Sequence, residues 1–271
     1  LVTYGMISSS PKFNEIADLY FTNYWTVQGW AAGLFLLLNI GLTVGRPAQW
    51  LEFNRNHLRN KILPMALRTA AGALVWVLLT HWLTPSQFLG PGFSWEEGLW
   101  ATLICVSRTV AWIGWACGEE WVFRKVLLER AREHFTHHRL GDWAAIGITT
   151  ALWVLTRSWG QNLGLNQTLT LLLLGTILGL RASRGGNYLE GAAIIGVAAS
   201  IFQVLFSIPV LGQDFTGAWI IKYRSGELLQ LVSGGPGGPL SSAAIQLALI
   251  GWILFKLDWK IEWTGKARRL R

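Results

Sequence analysis

The composition of this 271-residue chain is that of a membrane protein. Hydrophobic residues make up 52% of the sequence and charged residues only 14%, and the mean hydropathy is positive. A soluble domain carries about 25% charged residues, so this chain lacks the groups that keep a surface hydrated. The net charge of +8 does not favour a nucleic-acid partner, because the basic residues lie between apolar blocks instead of clustering on one face.

Long apolar blocks predict an all-α fold, a polytopic bundle of about seven to eight transmembrane helices. A helix needs about 20 mainly apolar residues to cross a bilayer, since each residue rises only about 1.5 Å. The predicted spans are 26–45, 64–84, 98–117, 143–157, 167–180, 188–211 and 241–256. The fourth and fifth are short, and we expect them to tilt, to extend into their flanks or to insert only halfway. Pro209 is expected to kink or end the sixth helix.

The basic residues outside the spans set the predicted orientation. Lys and Arg collect on the cytoplasmic side of membrane proteins. The segments between the predicted spans lie in turn on the two sides of the membrane. Those on one side, together with the tail, hold seventeen basic residues, and those on the other side hold three. We therefore expect segment 1–25 outside, a bundle over 26–256, and a basic cytoplasmic tail at 257–271. The Gly- and Pro-rich loop 212–240 is predicted to be external, irregular and partly re-entrant.

The cysteines and histidines predict neither a metal site nor a cofactor. Cys105 and Cys117 lie in one apolar block, and a lone pair of this kind indicates buried free thiols. His134 and His138 are four residues apart, a spacing that would suit a metal. They lie with His137 among Arg and Glu residues, however, so a solvated helix end is the preferred interpretation.

Two adjacent carboxylates at the end of the third span form the most informative motif. Glu119 and Glu120 are costly to bury, and such residues seldom occur by accident in a membrane segment. On a helix, Glu120 and Arg124 are four residues apart and can pair. Glu119 then points in a different direction, which would leave it free to act as a base or a ligand.

Segment 118–128 resembles the first motif, EExxxR, of the CAAX-protease and bacteriocin-processing (CPBP) family. The resemblance extends over about residues 98–205 and implies an all-helical membrane bundle. By resemblance, Glu119 would activate the water that attacks the scissile amide, and Glu120 with Arg124 would support it. The family completes its site with a second motif, FxxxH, and a third motif built around His.

The second and third motifs match in pattern but not in chemistry. In segment 149–157, Trp153 stands where Phe is usual and Arg157 where His is expected. The His of the third motif falls on Ile195 or, in a register shifted by one, on Gly196, with Ser200 one turn further on. No histidine follows residue 138, so neither motif contains one in any register.

Two function classes remain from the sequence, with a weaker third. The first is a CPBP-like protein without peptidase activity, a pseudoenzyme that serves as a scaffold, assembly factor or accessory subunit of a membrane complex. Arg157 would then pair with a motif glutamate and fill a vestigial site. The second is an active intramembrane CAAX-type endopeptidase that uses Glu119, with Arg157, Ser200 or an N-terminal group replacing the histidines. The weaker third is a transporter or a pigment- or lipid-binding subunit, a reading permitted by the many Trp residues and by Arg68 and Arg108 inside spans.

The expected partners are other integral membrane proteins, with anionic lipids contacting the basic tail and no nucleic acid. The expected location is a bacterial inner membrane or a thylakoid-type membrane.

Overall fold

A computed structural model describes most of the chain beyond residue 57. The described ranges are 58–83, 86–92, 98–135, 140–158, 163–210, 217–223, 231–234 and 238–255. All of them belong to one unit, His57–Arg271. The predicted external segment, the predicted span 26–45, His137, His138 and the basic tail lie outside the described residues.

Seven α-helices occupy most of the described ranges. In chain order they are α1 (Leu63–Leu83), α2 (Gly98–Glu120), α3 (Leu128–Phe135), α4 (Gly141–Ser158), α5 (Leu165–Ser183), α6 (Tyr188–Ala199) and α7 (Ala243–Phe255). Wider π-helical segments at Leu58–Ile62, Trp121–Leu127 and Ser200–Leu205 precede α1, join α2 to α3 and follow α6. The all-α prediction is confirmed.

The helices coincide with the apolar blocks of the sequence. Within the described ranges, three are long and apolar enough to cross a membrane: Leu58–Leu83, Leu165–Ser183 and Tyr188–Leu205. The two blocks predicted to be short extend into their flanks, giving helices of 18 and 19 residues. α2 does not end near residue 117, because the helical run continues through Trp121–Leu127 into the polar helix α3.

The sixth block ends earlier than predicted and for a different reason. Its helix stops at Leu205, before Pro209 is reached. Ser207 then adopts a positive φ of 54°, which is uncommon for a residue other than glycine. Its hydroxyl donates to the Trp219 carbonyl and accepts from the Gly217 amide, both at 2.7 Å. These two bonds tie the helix end to the segment that follows.

Two short strands depart from the predicted helix-and-loop pattern. β1 (Ser86–Pro91) pairs antiparallel with β2 (Trp219–Tyr223), and the register shifts between Phe88 and Gly90. The rings of Phe88 and Trp219 lie 5.5 Å apart. The prediction of an irregular loop at 212–240 was therefore wrong for β2. Its five residues are too few to display a strand pattern, and their partner lies far away in sequence.

The main apolar core lies between α2, α4, α5 and α6. Trp112, Phe123, Trp153, Leu178 and Ile195 are among its buried members. α2 and α6 pack closely, because a Cβ added to Gly196 would lie 3.0 Å from the Cα of Ile113. This core surrounds the residues of the first motif.

Candidate functional site

The four motif residues singled out from the sequence come together inside the bundle. Glu119 and Glu120 end α2, Arg124 lies in the π-helical segment, and Arg157 lies near the end of α4. Their exposed fractions are 6%, 1%, 2% and 7%. We call these four residues the buried charge cluster. Two acidic and two basic side chains balance its formal charge, as burial of charged groups requires.

Glu119 is held by two donors from α4. The Arg157 guanidinium donates from Nη2 to Glu119 Oε2. The indole Nε1 of Trp153 donates to the same oxygen at 3.3 Å. The expected pairing of Arg157 with a motif glutamate is therefore present. Glu119 is not left free to act as a base or a ligand, as its helical position alone had suggested.

Glu120 and Arg124 form the second ion pair of the cluster. Arg124 Nε lies 3.7 Å from Glu120 Oε1, too far for a hydrogen bond. The π-helical segment begins at Trp121, between the two residues, and a π turn is wider than an α turn. None of the Arg124 nitrogens donates a hydrogen bond to a residue that the structure describes. The pair is therefore electrostatic.

Trp153 joins the two halves of the cluster. It is only 1% exposed, and the central guanidinium carbons of Arg124 and Arg157 each lie 5.4 Å from the centroid of its ring. A guanidinium within about 6 Å of an indole is attracted by the negative face of the ring. A single side chain thus contacts both cations and donates to Glu119. The sequence identified Trp153 only as a substituted aromatic residue.

Two glycines bring backbone directly against the cluster. A Cβ added to Gly191 of α6 would lie 2.1 Å from Glu120 Oε2. A Cβ added to Gly175 of α5 would lie 2.7 Å from Thr150 Cγ2 and 3.2 Å from Arg124 Nη2. The backbones of α5 and α6 therefore fill the space beside the charges. Neither glycine is recognisable as a site residue from the sequence.

Residues 99–202 match the model of a family described as type II CAAX prenyl endopeptidase, Rce1-like. The matched region contains the whole buried charge cluster and all three motif positions. This part of the chain is similar to the Rce1-like family. No curated protein and no solved structure matches the chain.

The match to this family and the apolar helices together indicate an integral membrane protein with an Rce1-like core. In this core the third-motif positions carry no acid or base. Ile195 is buried among apolar side chains, and Gly196 packs against Ile113. The Ser200 hydroxyl donates to the Gly196 carbonyl at 2.7 Å, within its own helix.

A second charge pair of the Rce1-like core went unnoticed in the sequence. Arg181 near the end of α5 donates from Nη2 to Glu190 Oε2 in the first turn of α6. Glu190 is largely buried and directly precedes Gly191, the residue that packs against Glu120. Arg181 directly follows the predicted span 167–180, at a position where a cation in contact with water would need no partner. The pair helps to fix α6 beside the cluster.

The polar helix that follows the cluster has the character of a solvated segment. Lys125 pairs with Glu129 at 2.8 Å, and both side chains are about half exposed. Arg132 pairs with Asp142 at 2.9 Å, joining α3 to the start of α4. His134 is exposed on α3. Within the described ranges, no group of three or more His, Cys, Asp or Glu residues is placed to hold a metal ion, and both cysteines are free thiols.

Proposed function

We propose that this Rce1-like membrane protein has lost peptidase activity and serves as a scaffold, assembly factor or accessory subunit of a membrane protein complex. The observation that carries the proposal is the contact of Arg157 with Glu119. Arg157 occupies the position at which the family pattern has a histidine. The cluster then acts as a structural connection between α2 and α4.

The chemistry of the contact supports this reading. A general base must be within reach of a water molecule and must accept its proton. Oε2 of Glu119 already accepts from Arg157 and Trp153. A guanidinium has donors only and is not deprotonated in proteins, so Arg157 cannot replace a histidine as a proton acceptor. General acid–base catalysis typically accelerates a reaction about 10²–10⁴-fold, and this site would lack that acceleration.

Packing around the cluster supports the same conclusion. Peptide hydrolysis needs room for the scissile amide and for water next to the carboxylate. Here Gly191 lies against Glu120, and Gly175 lies against Arg124. Trp153 occupies the space beside both guanidinium groups. A filled site suits a protein whose first motif holds helices together.

The location and partners belong to the same proposal. The membrane is a bacterial inner membrane or one of the thylakoid type. The seventeen-to-three distribution of basic residues supports an external N-terminus and a cytoplasmic C-terminus. The partners are other integral membrane proteins, while anionic headgroups bind the basic tail.

The test is purification from native membranes in mild detergent at native expression level, with mass spectrometry of the proteins that accompany the chain. The variant Glu119→Gln/Arg157→Met removes the carboxylate and the cation together, and its glutamine still offers an acceptor to Trp153. We expect wild type and this variant to purify with the same stoichiometric membrane partner. The matched control, Lys125→Met/Glu129→Met, removes an exposed ion pair from the neighbouring helical segment.

The competing function is an intramembrane endopeptidase that uses Glu119, and the intact first motif favours it. If the chain purifies alone, and a membrane protein accumulates uncut in the double variant but not in the control, the pseudoenzyme proposal is wrong. A direct assay adds a prenylated CAAX peptide to the protein in detergent. We expect no cleavage that depends on Glu119.

A further inference from the structure

We infer that a cavity between α2 and the helix containing α6 binds one acyl chain of a bilayer phospholipid. The cavity has a volume of about 330 Å³ and is partly open. None of its lining residues belongs to the buried charge cluster. The cavity is distinct from that cluster, although its lining includes Ser200, one turn beyond the third-motif position, and the inference does not depend on the proposed function.

The packing of the two helices creates the cavity. α2 lines one wall with Cys105, Thr109 and Ile113, which recur every four residues and so share one helix face. The helices are closest where Gly196 meets Ile113. The cavity extends from this crossing along Thr109 and Cys105, away from the Glu119 end of α2.

The opposite wall is also apolar. Val197, Ser200 and Val204 line it, and Ala218 lies beside them just before β2. The hydroxyl of Ser200 donates to the Gly196 carbonyl, so its proton is not available to a ligand. A site with these walls suits a hydrocarbon chain and offers little to a headgroup.

The surroundings of the cavity indicate where its occupant comes from. Next to the lining face, α2 exposes Leu103, Val106 and Val110, with 50%, 55% and 64% of their surfaces accessible. In an integral membrane protein such a face contacts lipid, so acyl chains surround this part of α2. A cavity that opens here takes its occupant from the bilayer.

The position of the cavity favours a thin occupant over a helix of a partner protein. A helix with its side chains is at least about 10 Å wide. The cavity lies between two helices that touch where Gly196 meets Ile113, so a third helix cannot enter between them. An extended hydrocarbon chain is much thinner and fits lengthwise between the two helices. The volume also lies at the lower end of the range of ligand pockets, about 300–1,000 Å³.

The test uses the full chain in nanodiscs containing a phosphatidylcholine with a photoreactive diazirine in its acyl chain. After illumination, mass spectrometry locates the labelled residues. We expect labels on the cavity faces 105–113 and 197–204. The same lipid with its diazirine in the headgroup should not label these residues.

Two filling variants and one control make the test specific. Val197→Phe and Ala218→Phe each place a ring in the cavity, and a filled interior leaves no room for a chain, so labelling of 105–113 should fall about five-fold. Val110→Phe adds the same ring to the exposed face of α2 and should leave the labelling unchanged. Circular dichroism and gel filtration identify any variant that fails to fold.

Three results would overturn the inference. One is equal labelling of the cavity faces in wild type and in both folded filling variants. Another is labelling by the headgroup probe as strong as that by the acyl probe. The third is displacement of the acyl probe by an isoprenoid alcohol present in trace amount, since this would assign the cavity to a different hydrocarbon.

Discussion

Replacement of Arg157 alone should destabilise the protein far more than replacement of Arg157 and Glu119 together. Arg157→Met leaves the buried charge cluster with one uncompensated negative charge, and Glu119 cannot turn to water because its side chain is 93% buried. Removing one partner of a buried ion pair typically costs about 3–5 kcal/mol. The folded-to-unfolded ratio should therefore fall by roughly two to four orders of magnitude.

The double variant Glu119→Gln/Arg157→Met removes both charges and keeps an acceptor for the Trp153 indole. Its free energy of unfolding should fall by about 1–2 kcal/mol, since one neutral hydrogen bond remains and no charge is left unpaired. Lys125→Met changes an exposed ion pair on the neighbouring helical segment and should lower the free energy of unfolding by less than about 1 kcal/mol.

The assay is reversible unfolding in mixed micelles, followed by far-UV circular dichroism and analysed as a double-mutant cycle. We expect a coupling energy of at least about 2 kcal/mol between positions 119 and 157. The contact is not the structural connection that we describe if the free energy of unfolding of Arg157→Met lies within about 1 kcal/mol of the wild-type value. The same holds if the double variant is no more stable than the less stable single variant.

Two further outcomes are expected in the same unfolding assay. Gly191→Ala should lower the free energy of unfolding by about 1–3 kcal/mol, because its Cβ would lie 2.1 Å from Glu120 Oε2. Gly114→Ala, where the Cβ meets nothing within 4 Å, should be neutral or stabilising by up to about 1 kcal/mol, and equal effects at both sites would contradict the packing. Trp112→Phe removes a buried 2.7 Å hydrogen bond to Gln203 Oε1 and should lower the free energy of unfolding by about 1–3 kcal/mol. An unchanged unfolding transition would contradict a role for that bond in joining α2 to the helical segment after α6.

The helices were predictable because their signal is local. A block of apolar residues long enough to cross a bilayer has few alternatives to a helix, since every backbone group must be paired within the segment. The ends were harder to place. α2 continues past residue 117 because its terminal charges find partners inside the bundle. A hydropathy pattern treats the same charges as the end of a span.

The candidate site was predictable in its members and only partly in its contacts. Helical spacing alone indicated the pair of Glu120 with Arg124. The contact of Glu119 with Arg157 joins residues 38 positions apart, and only the family resemblance placed them together. Ion pairs between helices leave no periodic signal in a single sequence.

The glycines and Trp153 were missed for a related physical reason. What Gly191 and Gly175 do depends on which side chains face them, and those side chains lie on other helices. Trp153 has an apolar body that suits any buried position, so its Nε1 contact to Glu119 cannot be read from its own neighbours in the chain. The pairing of β1 with β2 likewise joins distant segments.

The contact between Glu119 and Arg157 has a consequence for how the protein is made. The two residues are 38 positions apart, so at a synthesis rate of about 5–20 residues per second Arg157 emerges from the ribosome about 2–8 s after Glu119. A lone charge entering the hydrocarbon costs up to about 3 kcal/mol. α2 is therefore most stable beside the insertion machinery until α4 arrives. The two helices should leave the translocon together, as a hairpin whose charges are already neutralised.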